Sequence, residues 1–463
     1  MSLSSGGLSL IIEHLDYIVT MNKRMDILRD AFVVVENDII TNLGLSAKSK
    51  PPADDEIVDG RGFALFPGLV NTHTHSFQSL IRGLGDDRIL KDWLHEVTLP
   101  AAANLHPTHA YAGALLTFAM SLTSGVTTTL DYAYALPTAG VADAIIKASN
   151  DTGVRLVFGR GVNDTGEKYG VPNELIEDVS RSLKDIDRLT SEHESKNGMV
   201  RIWASPLTMW SISRDGLETL SDYVQEKKIP VSVHLEETPF DVESAKDSLG
   251  EKALPALQSS GLLEAKILGV HCVYVDSNDL QMMERHKVAV SHNPLSNMYL
   301  SSGVAPVPAM LEEGLCLSIG LDGPASNNSQ DMVEGLKVTA LLHKVTSPGN
   351  PTIMTAGQVL RMATIDGARA LGLEKEIGSV EVGKKADFFL LDLNTLDTCP
   401  CYDPISTLVY AASKEDIKQV YVNGVKVCEN GSPTLISTRT ILENAHKACE
   451  DLLRLAGIGG STT

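Results

Sequence analysis

The chain has 463 residues, 43% of them hydrophobic and 21% charged, which is the balance of a folded protein with a core and excludes disordered and collagen-like architectures. Its 39 Lys and Arg stand against 59 Asp and Glu, a formal net charge of −20, and an acidic surface repels phosphate, so no nucleic-acid partner is expected. No apolar run approaches the roughly 20 residues that span a bilayer, so no membrane partner is expected either.

Strand-like patterns at 8–19, 31–35, 39–43 and 57–58 open the chain, separated by Asn, Asp and Gly turn signals. Between 66 and about 370 short apolar runs alternate with longer helical stretches. The runs fall at 68–75, 125–132, 154–162, 199–206, 229–236, 267–274, 288–292 and 315–322, with segments such as 101–124 and 241–260 long enough for helices between them. Strands return at 386–393 and 420–427, where Asn423-Gly424 reads as a hairpin turn. An amphipathic stretch at 439–455 predicts a final helix packed outside. The expected fold is α/β: a (β/α)8 TIM barrel over 66–375, with a small composite β-sandwich domain formed by 1–65 and 376–463. A doubly wound open sheet reads similarly. The barrel is favoured because its apolar strands finish in His, Glu or Asp, and barrel enzymes do their chemistry at the C-terminal mouth.

The six cysteines, Cys272, Cys316, Cys399, Cys401, Cys428 and Cys449, follow no disulfide framework. With no charged-then-apolar leader at Met1, they point to a reducing cytoplasm. Cys399-Pro400-Cys401 lacks the spacer and partner pair of a zinc ribbon and is read as incidental.

The first barrel strand ends Asn71-Thr72-His73-Thr74-His75. Successive side chains alternate faces along a strand, so His73 and His75 project the same way and can share one metal ion. The fifth strand ends in His234-Leu235-Glu236-Glu237, the sixth in His271, and the eighth in Asp322. A buried His or Asp without a partner is costly, which makes five such endings an improbable accident. Imidazoles with one carboxylate, leaving room for water, describe a catalytic Zn²⁺ or Fe²⁺ centre.

His73-x-His75 after Pro67-Gly68-Leu69-Val70-Asn71, His234-x-x-Glu237, His271, Ser291-His292-Asn293-Pro294, Asp322-Gly323-x-x-Ser326-Asn327 and the later Gly378 to Asp387 run together resemble the amidohydrolase superfamily. More narrowly they resemble its mononuclear deaminase branch, which includes S-adenosylhomocysteine, guanine and 8-oxoguanine deaminases and the triazine hydrolases. The resemblance implies that His73, His75, His234 and Asp322 bind one divalent ion, Zn²⁺ first and Fe²⁺ as the alternative. His271 is either a further ligand or the group that orients the water. Trp203-Ala204-Ser205-Pro206 stands at the end of the fourth strand, where binuclear branches carry a lysine.

The catalytic residues implied are Glu237 as proton carrier, with His271 and Asp322 holding the water and stabilising developing charge. Glu236 beside it reads as a solvated loop carboxylate. His292, Trp93, Gln78 and Arg160 are the candidate substrate contacts, with Arg82 and Tyr132 further options without a decisive argument. The expected activity is hydrolytic deamination of an aromatic N-heterocycle: a purine, a nucleoside such as S-adenosylhomocysteine, or a pterin. The alternatives are an s-triazine hydrolase, against which Gly323 and His292 speak, and a non-catalytic barrel scaffold, against which the complete ligand set speaks. A homo-oligomer, dimer or tetramer, is expected from the resemblance alone.

Overall fold

The computed structural model of the chain describes residues 9–46, 56–194 and 197–458. Its strands in chain order are β1 (Ser9–Val19), β2 (Ile27–Glu36), β3 (Ile39–Leu45), β4 (Glu56–Asp59), β5 (Phe63–Pro67), β6 (Leu69–Thr74), β7 (Val126–Ala133), β8 (Arg155–Val162), β9 (Val200–Pro206), β10 (Val231–Leu235), β11 (Ile267–His271), β12 (Ala289–His292), β13 (Leu317–Ile319), β14 (Phe388–Asp392), β15 (Ile417–Val422), β16 (Val425–Glu429) and β17 (Ser432–Pro433). They form two sheets. One holds β6 to β13 in chain order; the other runs β17-β16-β15-β14-β5-β1-β2-β3, with β4 paired to β1.

The eight-stranded sheet is the barrel. Its strands β8 through β13 pair in parallel with their successors, and a helix follows each strand, from Pro107–Thr123 after β6 to Met332–Val345 after β13. Every residue of β6, β7 and β8 is buried, as expected for parallel strands covered on both faces. The circle closes from the loop after β13 to β6: Asp322 N donates to His73 O at 2.9 Å, and Thr72 Oγ1 donates to Ile319 O at 3.0 Å.

Three barrel strands stop short of the expected 229–236, 267–274 and 315–322. The backbone turns left-handed at Glu236 (φ 47°), His271 (φ 68°), Cys272 (φ 51°) and Asp322 (φ 63°). Non-glycine residues in that region carry strain that the surrounding structure has to hold. The strands end at the residues that carry chemistry because the chain bends there to aim them. The stretch 101–124 likewise divides, into Leu99–Ala103 and Pro107–Thr123, and 241–260 divides at Gly250 (φ 79°) into Pro239–Leu249 and Ala253–Ser259.

The mixed sheet is built from both ends of the chain. Parallel pairing of β1 with β5 and antiparallel pairing of β5 with β14 join the two segments, and Phe66 stacks on Phe389 with centroids 5.4 Å apart. The turn between β15 and β16 is the expected hairpin, with Asn423 (φ 49°) and Gly424 (φ 76°) both left-handed, the type I′ geometry that Asn-Gly favours. Leu10, Ile12, Ile18, Val33, Leu65, Phe388, Leu390 and Tyr421 share one buried core. Phe388 is fully buried, so Phe388→Ala is expected to cost about 3–5 kcal/mol, read as a lowered urea midpoint.

By contacts the described residues separate into two compact units. One comprises the residues up to Val70, Ser121–Thr128 and Asp331–Leu435; the other comprises Asn71–Met120, Thr129–Gln330 and the residues from Ile436 on. The helix expected at 439–455 runs Thr438–Ala456, with Ile441, Ala445, Ala448 and Leu452 buried, and belongs to the second unit. So does every residue named below as part of the site. Among the described residues no helix is long and apolar enough to cross a membrane.

Candidate active site and metal centre

β6 delivers His73 within the strand and His75 just past it. Their rings meet edge to face with centroids 4.7 Å apart. His234 on β10 lies 4.9 Å from the His73 ring, and His271 stacks on His234 at 5.5 Å. Asp322 completes the group: its Oδ1 is 3.4 Å from Nε2 of both His73 and His75, and its Oδ2 is 4.0 Å from His271 Nε2. Ligand atoms of His73, His75 and Asp322 all lie within 4.8 Å of one another, as do those of His73, His234 and His271.

Outer partners fix these rings. His75 Nδ1 donates to Tyr132 O at 2.8 Å, His234 Nδ1 to Leu207 O at 2.6 Å, and His271 Nδ1 to Asn297 Oδ1 at 2.8 Å. Each such bond leaves the Nε2 lone pair facing inward, the arrangement of metal-binding imidazoles. Asp322 accepts from Ser296 Oγ and from Gly323 N, both at 2.6 Å. The Tyr132 ring packs 4.4 Å from His234 and 5.4 Å from His73, and its hydroxyl donates to Pro206 O.

Burial drives the electrostatics. It pushes the His73 and His234 imidazoles below their ordinary range and His75 down to about 3. The rings are therefore neutral, with lone pairs available. Burial opposes ionisation of Asp322 too, while the hydrogen bonds it accepts from Ser296 Oγ and Gly323 N favour it. His73 is the test of fit. Both of its ring nitrogens are buried without a hydrogen-bond partner, a costly state for a polar group that coordination of Nε2 relieves. Neutral imidazoles and one ionised carboxylate around that orphaned ring suit a divalent transition metal.

Glu237 stands opposite. Its Oε2 is 3.4 Å from His271 Nε2, and its Oε1 accepts from Ser302 Oγ at 2.8 Å. Burial raises its carboxyl from 4.5 to about 7, with Asp241 and Asp322 adding to the rise against His271. The residue after it, Thr238, forms a capping box with Asp241 at the start of the helix Pro239–Leu249, which anchors the loop just beyond the carboxylate. Glu236 is not a solvated loop residue. It is 2% exposed because the left-handed turn sends its carboxylate the other way, to 3.6 Å from Lys252.

Gln78 and Trp93 line the same cavity as His75, His234, Glu237, His271 and Asp322. Gln78 Nε2 donates to Tyr134 Oη at 3.2 Å, while its Oε1 is buried without a partner. A Cβ at Gly323 would come within 1.8 Å of that Oε1, so glycine is required there for Gln78 to keep its place. Trp93 Nε1 donates to Ala325 O at 2.9 Å, fixing the indole face at the cavity. His292 is fully buried at the end of β12 and is not part of that lining. Arg160 lines a neighbouring cleft and not this cavity, its guanidinium held by Glu177 and by Asp185 at 3.1 Å. Tyr134, Leu207, Thr208, Asp241 and Leu300 line the site and went unnamed in the sequence. Tyr134 was within reach, two positions beyond Tyr132 on the same strand line; Leu207, Thr208 and Leu300 lie outside the helices and strands, and Asp241 is in the first turn of the helix Pro239–Leu249.

A closed barrel with histidines and acids gathered at its C-terminal mouth defines a barrel hydrolase. Its relatives agree. The amidohydrolase family model matches residues 64–427, and the chain belongs to that family. A 5'-deoxyadenosine deaminase of Methanopyrus kandleri is 35% identical over 399 residues, covering 86% of this chain and 89% of its own. A 5-methylthioadenosine/S-adenosylhomocysteine deaminase of Thermodesulfovibrio yellowstonii is 34% identical over 437 residues, 93% and 95% of the two chains. Among solved structures, an adenosine deaminase from Xanthomonas campestris with bound zinc is similar at a TM-score of 0.88 and 28% identity, covering 96% of this chain and 99% of that one. A triazine hydrolase from Arthrobacter aurescens is similar at 0.89 and 25% identity, with 96% and 99% covered.

Proposed function

We propose that the chain is a metal-dependent aminohydrolase that replaces an amino group on an aromatic N-heterocycle with oxygen from water, releasing ammonia. The observation that carries this is the Glu237 carboxylate, buried and raised to about 7, facing His271 and the His73, His75, His234 and Asp322 cluster across one cavity. His73, His75, His234 and Asp322 would hold the ion, with Zn²⁺ supported by the zinc in the Xanthomonas campestris adenosine deaminase and Fe²⁺ suited by the same donors. When bound, a divalent ion supplies the positive charge that lowers the pKa of a water toward about 7.

Glu237 Oε2 accepts a proton from the attacking water and delivers it to a ring nitrogen, which makes the adjacent carbon electrophilic. Ser302 holds the other oxygen of that carboxylate, so the proton is carried at one atom. The inward lone pair of His271 orients the water between Glu237 and Asp322. A second transfer, to the leaving nitrogen, releases ammonia and leaves the ring as its oxo tautomer. The Trp93 indole and the Gln78 and Tyr134 pair supply a flat wall and a polar edge for the heterocycle. The functional division kept with this reading is a barrel of 66–375 and a composite domain of 1–65 with 376–463, and the homo-oligomer and cytoplasmic setting belong to the same proposal.

An ammonia-release screen of the purified enzyme against purines, adenosine-type nucleosides, pterins and triazines tests it. The expected result is ammonia with the matching oxo product from at least one heterocycle. Chloride from a chlorotriazine, with no ammonia from any compound, would put displacement of halide in place of deamination.

A further inference from the structure

The cavity that holds the site is smaller than the ring it is proposed to take. Its volume is 40 Å³, against roughly 30 Å³ for one water in the liquid and about 300 Å³ or more for a pocket that accepts a whole ligand. A heterocycle therefore enters only if part of the wall moves. The metal-binding and catalytic side chains are held by the bonds described above. Two further walls are tied through the backbone: Leu207 N donates to Asn163 Oδ1 at 3.0 Å, and Leu300 N donates to Ser296 O at 2.9 Å. Another wall is made of Leu90, Trp93 and Leu94, and it is built differently.

These three residues belong to one stretch of chain that begins at Gly83, left-handed at φ 78°, and runs into the π-helix Leu94–Thr98, a winding common at functional sites. Among the described residues, 85–93 form backbone hydrogen bonds only with their neighbours in the chain. The stretch holds itself together: a Cβ at Gly85 would stand 2.3 Å from the Trp93 indole, and Arg88 Nη1 donates to Asp86 O at 3.1 Å. Side chains join it to the neighbouring loops. Tyr299 Oη and Asn328 Nδ2 both donate to Asp86 Oδ1, Gly83 N donates to Asn328 Oδ1 at 2.9 Å, Trp93 Nε1 donates to Ala325 O, and Lys91 lies over the Phe240 ring. Asp86 is exposed, where each such bond competes with water and is worth little net.

We infer that residues 83–94 are a lid that opens to admit the heterocycle and closes over it, with Asp86, Tyr299 and Asn328 as its latch. The inference rests on the reading above, that a heterocycle reacts in this cavity, and adds how the ring gets in. The latch sits where closure bears on the chemistry. Tyr299 ends the short helix Pro294–Tyr299, whose Ser296 and Asn297 hold Asp322 and His271. Ala325 and Asn328 follow Asp322 in one loop. Trp93 docked on Ala325 brings its indole to the ring and excludes water, which strengthens every charge interaction inside.

In the metal-loaded enzyme, Asp86→Cys combined with Asn328→Cys lets a disulfide pin the lid shut. Ammonia release from a heterocycle that the unaltered enzyme accepts is expected to fall at least about tenfold on oxidation and to return with a reductant, because lid opening gates turnover. The unaltered enzyme taken through the same cycle controls for its own six cysteines. Equal turnover pinned and reduced, with the disulfide confirmed by mass, overturns the inference and leaves the deaminase reading standing. Tyr299→Phe needs neither disulfide nor substrate. The chain's three tryptophans, Trp93, Trp203 and Trp210, are all buried, so quenching of their fluorescence by acrylamide reads opening at Trp93, with Trp93→Phe as the blank. Loss of the Tyr299 hydroxyl is expected to raise the quenchable open fraction by about fivefold, the size of one hydrogen bond. Quenching unmoved in a folded Tyr299→Phe overturns the latch. If the unaltered enzyme turns over no heterocycle, the deaminase reading fails and the lid is judged on the quenching alone.

Discussion

Glu237→Gln is expected to lower kcat by at least about a hundredfold while bound metal stays at one equivalent per chain, the scale on which a general acid-base group contributes. The amide keeps the shape of the carboxyl and can still accept from Ser302 Oγ, so positioning survives and proton transfer does not. Metal analysis with steady-state kinetics separates the two, and near-normal kcat would refute the assigned role. The same variant has a stability signature. Glu237 is raised from 4.5 to about 7 by burial, so the folded state holds its proton more tightly than the unfolded state does. Its contribution is present below pH 4.5 and lost as pH rises through 7, where the ionised carboxylate is a buried liability of the order of 3 kcal/mol. Chelator-treated Glu237→Gln should therefore melt above chelator-treated wild type at pH 8, with the difference vanishing toward pH 5. Identical melting at both values would show that the carboxyl carries no such burden. Activity and stability pull in opposite directions at this residue, as they do where a site is held strained for function.

Legibility in the sequence followed the physics of each element. The eight barrel strands could be placed because fully buried parallel strands are continuous apolar runs, and each polar ending, His73, His75, His234, His271 and Asp322, stood out against one. The backbone turns that aim them were not legible. Left-handed φ at His271 and Asp322 is uncommon for any non-glycine residue and has no local signal; in the fold it is held by contacts such as Asp322 N to His73 O. Glu236 and Glu237 are adjacent and alike in the sequence, yet the turn between them sends one to Lys252 and the other to His271. Arg160 reads as a substrate contact from its place near the end of a barrel strand; that Glu177 and Asp185, 17 and 25 residues away in the chain, pair with its Nη1 and Nε is set by the fold and has no local signal. Ser296 sits in the short helix Pro294–Tyr299, Ser302 in a loop and Tyr134 just past β7, so nothing local announced that they would hold Asp322, Glu237 and Gln78.

His73→Ala is expected to abolish both metal binding and turnover while leaving the fold intact. Loss of an outer partner of a ligand costs 10–100-fold in affinity, so loss of the ligand itself is expected to exceed about a hundredfold. Removing a fully buried side chain ordinarily destabilises through the cavity it leaves. Here that loss is offset, because both imidazole nitrogens are buried without a hydrogen-bond partner, and deleting the ring deletes that unsatisfied polarity. The discriminating measurement is therefore a melting temperature with and without chelator. A ligand that binds only the folded state stabilises it by about 4 kcal/mol at a thousand times its Kd, so chelation should lower the melting temperature of the wild type and leave that of His73→Ala unmoved. The two proteins should converge once the metal is gone. A wild type whose melting temperature and ammonia release both survive chelation would remove the ion from the mechanism, and with it the reason for gathering His73, His75, His234 and Asp322 at one barrel mouth.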